Sequence, residues 1–432
     1  MREELIRHSS PDVSVNEKLK LEDYYFYVLG TAGLLSWNTL LSAVDFFDSK
    51  YPNRNVAFFF PIPYFVSCIT LNTFIVQISQ RISLNKRLMG GLATMNAIVF
   101  LMFLNANIFA GGFGYFLLLF MILMLGVANI LVEASCLGFA AMFPAQEMRK
   151  MQTGVATSGL IVISIRILCL IVVGDESTDS VSLGCYFVLI TGVTSYCIIQ
   201  HKKFTKTEFY RVHMKGIEQP PNEYELAERL SSDSPTSSKP DSPKKEFPGI
   251  NSNRLPVSET VVKKAPFNEV FRSIMKYPFL LGLIYLQTLS MFPGVTLKKH
   301  LTFANSAWNV AILIFIYNLF DVVGRHFGGV KETWGKKYPE FVVLGRSLFF
   351  FTFLKIASAD TNSIFNNDFL AVLNLTVFAF LNGYCTASLI SSAVELVSEQ
   401  KRETAAFIMQ LSLYIGIAAG TFSALPFRNV GN

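Results

Sequence analysis

"YFLLLFMILMLGVANILV", residues 115–132, runs for eighteen residues without a charge. A bilayer's hydrocarbon core takes about 20 apolar residues of helix at 1.5 Å rise each. A soluble helix of this length needs a polar stripe facing water, and this stretch has none. The whole chain shares the bias. Its 432 residues are 51% hydrophobic and only 16% charged, with forty Phe, against about 25% charged residues in soluble domains. The fold class that follows is an all-α polytopic membrane protein.

Eleven stretches are long enough to span: 24–46, 57–79, 88–109, 112–143, 151–173, 182–200, 274–296, 305–328, 340–358, 368–394 and 404–427. No cleavable signal precedes the first, which starts near Tyr24 after a charged leader, residues 1–23. With the N-terminus cytoplasmic, the short inner segments hold fourteen Lys and Arg and the outer ones five, the excess expected of inner loops. The C-terminus then lies outside. One polar segment, 201–273, separates six spans (24–200) from five (274–432). Its centre, "SSDSPTSSKPDSPKKEFPG", is too poor in apolar residues to fold alone and reads as disordered and cytoplasmic. Two helix groups joined by an inner loop suggest a transporter that rocks about a midplane site.

All six Cys fall in predicted spans and no pair has ligand spacing, so no metal or disulfide framework is expected. The five His are scattered.

Charges inside spans are costly and tend to have a task. Few remain once the loops are accounted for. Lys355 is close enough to a span end to snorkel. Arg346 either snorkels or pairs with Glu395 as a structural or gating contact. Arg166 and Glu133, on adjacent antiparallel spans, either form a buried ion pair or leave Arg166 facing a wet cavity. Asp321 and Arg325 lie one helical turn apart in "IFIYNLFDVVGRHF", residues 314–327. They form either a plain intrahelical salt bridge or a ligand site, since a paired carboxylate and guanidinium keep lone pairs and N–H groups for vicinal hydroxyls. Asn318, one turn earlier, extends that polar stripe. Trp37 and Asn38 lie inside the first span, where Trp37 either packs in the core or stacks on a planar ligand. Small residues in spans four and five, among them Gly126, Gly138, Gly154 and Ser158, favour close helix packing.

Five motifs, in chain order, resemble the equilibrative nucleoside transporter family. They are "GTAGLLSWNTLLSAVDFF" (30–47), "LVEASCLGFAAMFPAQEMRKMQTGVATSG" (131–159), "LSMFPGVT" (289–296), "YNLFDVVGR" (317–325) and "FLNGYCTASL" (380–389). The fourth, close to F-N-x-x-D-x-x-G-R, is the most specific. The resemblance implies a major-facilitator-like fold of eleven helices in a 6+5 arrangement, with a central cavity between the groups. It implies alternating-access transport of nucleosides or nucleobases, by facilitated diffusion or with coupled protons. By the same resemblance Asp321 and Arg325 contact the ribose, Trp37 lies along the substrate, and Leu41 and Pro293 form an outer gate. No cofactor and no nucleic-acid partner are expected. The partners are the substrate and the lipid bilayer of the plasma membrane, and the chain is expected to act as a monomer.

The chain departs from the family pattern at three places: Ser36 and Phe351 where the family has Pro, and Glu133 where it has a Gln that reads the purine edge. An ionised Glu only accepts hydrogen bonds. Glu133 therefore favours bases presenting N–H groups, such as guanine or hypoxanthine, or takes up a proton during transport. A transporter of the same fold for another small polar substrate is the alternative reading. A polytopic membrane enzyme is a third, against which the absence of a nucleophile or metal cluster in the sequence weighs.

Overall fold

The computed structural model describes residues 13–43, 46–47, 50–51, 54, 59–109, 111–174, 178–218, 267–328, 337–359 and 363–429. Among these, every regular element is a helix. The first group comprises α1 (Val13–Ser42), α2 (Pro61–Arg81), α3 (Leu84–Ile108), α4 (Gly111–Ala141), α5 (Ala145–Val173) and α6 (Thr178–Phe204). Two short helices follow, α7 (Glu208–Glu218) and α8 (Phe267–Ile274). The second group comprises α9 (Lys276–Met291), α10 (Ser306–Phe327), α11 (Pro339–Gly345), α12 (Leu348–Ala357), α13 (Asp368–Glu395) and α14 (Glu399–Ser423).

Nine helices among the described residues are long and apolar enough to cross a membrane. Two expected spans are absent from that set. One is α1, which begins at Val13 rather than near Tyr24 and whose apolar stretch is interrupted by Thr31, Ser36, Asn38 and Thr39. The other is the expected ninth span, which is broken into α11 and α12, of 7 and 10 residues. The polar segment 201–273 also differs from expectation at its ends, where α7 and α8 are helical. Its centre, 219–266, lies outside the described residues. Phe209 and His213 of α7 pack on Phe143 at the end of α4, with ring centroids 5.4 and 5.2 Å away. Burial of this apolar face holds α7 against the bundle.

Local chemistry sets the helix ends. The Asn305 side chain caps α10 by accepting from Trp308 N, 3.0 Å away. Asn367 caps α13 by accepting from Phe369 N and Leu370 N. Both satisfy N–H groups that the first turn leaves unpaired. The α11–α12 break needs no proline. Ser347 N bonds Leu344 O at 3.0 Å instead of continuing the helical ladder to Val343 O. The freed Val343 carbonyl accepts from Gln287 Nε2 of α9 at 3.0 Å. A side chain inserted into the backbone ladder is a sufficient cause for such a break.

The outer surface of the bundle is apolar. Phe116, Val172, Val188, Leu348 and Phe369 are each at least 70% exposed, as the lipid-facing side of a spanning bundle requires. Within the first group, α1 packs on α5 and α6, and α4 on α2 and α3. Within the second, α10 packs on α13 and α9 on α14. The groups meet where α5 touches α10 and α4 touches α14, and the cavity described below lies between them. Two crossings depend on glycine. A Cβ at Gly30 would collide with Met151 O of α5, and one at Gly383 with Asp321 O of α10.

Gly383→Leu is expected to force α10 and α13 apart and lower the melting temperature in detergent, since overpacking a close crossing costs about 1–3 kcal/mol. Gly90→Ala, with nothing within 4 Å of the added Cβ, is the control. Equal melting temperatures for the two variants would contradict the close crossing.

Candidate functional site

A cavity of about 450 Å³ lies between the two helix groups. It falls in the size range of small-molecule sites, a few hundred to about 1,000 Å³. Trp37, Leu41, Glu133, Pro293, Asn318, Asp321 and Arg325 all face it, so the expected substrate-binding and gate residues share one chamber.

Its charged centre is on α10. Arg325 Nε donates to Asp321 Oδ2 at 2.9 Å, and the two residues are 6% and 5% exposed. The intrahelical pair therefore forms, but it is not self-contained. Arg325 Nη1 donates to Gln152 Oε1 of α5 at 2.9 Å, and Nη2 to Tyr285 OH of α9 at 3.2 Å. Asn382 Nδ2 of α13 donates to Asp321 Oδ1 at 2.7 Å. Partners from three other helices thus fix the pair, and one of them belongs to the opposite group. Each Asp321 oxygen accepts one bond from these partners and keeps a second acceptor direction. The guanidinium has five N–H groups, more than these partners occupy.

Glu133 of α4 stands on the opposite wall. Its Oε2 accepts from Gln410 Nε2 at 2.7 Å and from Tyr414 OH, both on α14. Tyr414 OH in turn accepts from Asn129 Nδ2 at 3.3 Å. Of the two readings of Arg166, the ion pair with Glu133 is not the one the structure shows. The carboxylate points across the group boundary to α14, whereas Arg166 lines the cavity beside Tyr186 of α6. Nor does Arg346 pair with Glu395. Arg346 is 1% exposed inside the second group, while Glu395 is exposed at the end of α13. Lys355 is exposed, as snorkelling requires, 5.6 Å from the Phe351 ring centroid.

Trp37 is 9% exposed and stacks on Tyr64 of α2, with centroids 3.7 Å apart and planes 19° from parallel. One face of the indole is therefore covered. Asn38 Nδ2 donates to Ser158 Oγ of α5 at 2.6 Å. Asn318 Nδ2 donates back to Ile314 O at 2.9 Å, and its Oδ1 occupies the space a Cβ at Gly159 would take. Leu41 is 42% exposed and Pro293 is also exposed. Both face the cavity, from the end of α1 and the end of α9.

The family model described as "Nucleoside transporter" matches residues 119–429. The chain belongs to the nucleoside transporter family. It is 25% identical to human "Equilibrative nucleoside transporter 1", over 94% of this chain and 96% of that one. It is 22% identical to "Equilibrative nucleotide transporter 8" of Arabidopsis thaliana, over 95% and 96% of the two chains. With "Equilibrative nucleotide transporter 1" of the same plant it shares 24%, over 96% and 89%. In this multi-pass nucleoside transporter family member, Gln152, Tyr285, Gln410 and Tyr414 join the site without having been singled out in the sequence. Their signal was a polar group inside an apolar helix, the same rule that marked Asp321.

The buried pair yields a stability prediction. Asp321→Ala leaves the Arg325 guanidinium without its carboxylate, a change that costs about 3–5 kcal/mol at buried sites. Asp321→Ala with Arg325→Met removes both charges and is expected to recover most of that loss in a thermal melt, without recovering transport. A single variant as stable as the unmutated protein would show that the pair is not buried as described.

Proposed function

We propose that this chain carries nucleosides, and nucleobases as a second cargo, across the plasma membrane by alternating access. The observation that carries the reading is the Asp321–Arg325 pair, buried in the cavity yet keeping acceptor directions and N–H groups for vicinal hydroxyls. A ribose 2′,3′-diol donates to Asp321 and accepts from Arg325, both charge-assisted and therefore strong. The base lies along the uncovered face of Trp37 toward Glu133, and Asn318 extends the sugar-side polar stripe. Leu41 and Pro293 close the chamber as a gate. The monomer spans the membrane eleven times, counting α1 and the α11–α12 pair, with its N-terminus cytoplasmic and its C-terminus outside.

Two relatives are named for nucleotides, but the charge of this cavity favours the uncharged nucleoside. Arg325 is balanced by Asp321, and Glu133 places a carboxylate on the facing wall. A phosphate dianion there meets repulsion from both acids. Glu133 itself reads the base, favouring N–H donors such as guanine and hypoxanthine, or carries a proton in symport.

Alternating access requires contacts between groups that break and reform. Arg87 Nη2 of α3 bonds Glu403 Oε1 of α14 at 2.9 Å, both buried. This ion pair clasps the groups where α3 and α14 begin.

Saturable uptake of radiolabelled uridine, adenosine and guanine by proteoliposomes tests the reading directly, and no saturable flux of any of them would end it. The unmutated protein is expected to move a 2′,3′-dideoxynucleoside poorly, and equal rates for it and its parent would assign the pair a purely structural role. Glu133→Gln is expected to change the base ranking or the pH profile of uptake, and a variant with both unchanged would exclude Glu133 as reader and as proton carrier. For the clasp, Arg87→Glu is expected to impair uptake and the swap Arg87→Glu with Glu403→Arg to restore it. A swap no better than the single variant would exclude a role for the ion pair itself.

A further inference from the structure

Arg346 heads the largest fully buried side chains, and it does not line the cavity. It sits at the α11–α12 break, with its guanidinium 3.8 Å from the centroid of the Phe378 ring. No carboxylate among the described residues pairs with it. Nη1 donates to Ile284 O at 3.0 Å and Gln287 Oε1 at 3.3 Å; Nη2 donates to Thr288 Oγ1 at 2.9 Å and Phe378 O at 3.3 Å. Burying an unpaired cation is expensive, so its placement calls for a reason beyond packing.

The hydrogen-bond direction supplies one. A guanidinium has only donors, so Thr288 Oγ1 must accept from it, and the hydroxyl proton is left to donate elsewhere. Two acceptors are in reach, Asn382 Oδ1 at 2.7 Å and Ile284 O at 2.8 Å. The second already accepts from Arg346, which leaves Asn382 Oδ1 as the less committed partner. With its oxygen engaged, the Asn382 amide must present Nδ2 to Asp321 Oδ1, the 2.7 Å bond already described. A flipped amide would set oxygen against carboxylate. Arg346 thus sets the polarity of a three-bond chain that ends on Asp321.

We propose that Arg346 is a positioning residue for substrate recognition. Acting through Thr288 and Asn382, it holds the Asp321 carboxylate turned so that its open acceptor directions meet the cargo's hydroxyls. This rests on the reading of Asp321 as the acceptor for a sugar diol. The contacts to Ile284 O and Gln287 also staple the helix break, but the Thr288 branch is not needed for that. That branch leads through Asn382 to the site.

The experiment measures KM and Vmax for uridine and 2′,3′-dideoxyuridine in proteoliposomes. Thr288→Val keeps the side-chain shape and removes the hydroxyl. It is expected to raise KM for uridine about tenfold, the scale of one hydrogen bond to a charged group, while leaving dideoxyuridine unchanged. Thr288→Ser is expected to restore the uridine value, and Arg346→Gln to shift the uridine-to-dideoxyuridine ratio in the same direction. Ser347→Ala, which disturbs only the break, is expected to alter stability and not that ratio. Thr288→Val and Arg346→Gln both retaining the unmutated ratio would overturn the proposal. An unmutated protein that does not distinguish the two compounds would instead overturn the sugar-diol reading on which it stands, so the two failures are told apart.

Discussion

A charge within a membrane bundle must be neutralised and hydrogen-bonded nearby, because water cannot do it. Asp321 and Arg325 meet that requirement with each other and with three partners from three other helices: Gln152 on α5, Tyr285 on α9 and Asn382 on α13 complete what the pair begins. Much of the architecture serves this centre. Gly383 lets α13 approach α10 closely enough for Asn382 to reach Asp321. The contact of α5 with α10 carries Gln152 across the boundary between the groups. The satisfied pair therefore also joins the two halves of the bundle.

The facing wall obeys the same rule with different residues. The structure accommodates the Glu133 carboxylate by giving Oε2 two donors from α14. These bonds again cross the group boundary. Glu133 and Arg325 are thus cavity residues bonded across the boundary, Glu133 to α14 and Arg325 to Gln152 of α5. Under the proposed function, recognition and the coupling of the halves share these side chains.

Much of this was legible in the sequence, because hydropathy and the expense of buried charge act locally. The long apolar runs fixed the helices from α2 to α6, and the continuous α13 matched a stretch interrupted by polar residues. The i, i+4 spacing of Asp321 and Arg325 placed them on one face of α10. Other features depend on contacts far apart in the chain. The break between α11 and α12 is made by Gln287, about sixty residues earlier in the chain, so no local signal marks it. Depth along two neighbouring helices suggested an Arg166–Glu133 pair, but depth does not give rotation about the helix axis, and α4 turns Glu133 toward α14. Arg346 stood out as a charge, yet its neutral acceptors could not be named before α9 and α13 were brought together. Polar segments also misled: α7 and α8 fold because their apolar faces find the bundle, although the segment between them is poor in apolar residues.

Asp321 and Arg325 are carried on a single helix, bonded to each other. Any displacement of α10 moves both charges together, so the pair transfers no net charge through the electric field of the membrane. The field is worth about 2.3 kcal/mol per elementary charge per 100 mV, and this arrangement leaves it no handle on the paired charges. An uncharged cargo bound there, moving without a coupled proton, would cross without electrical work.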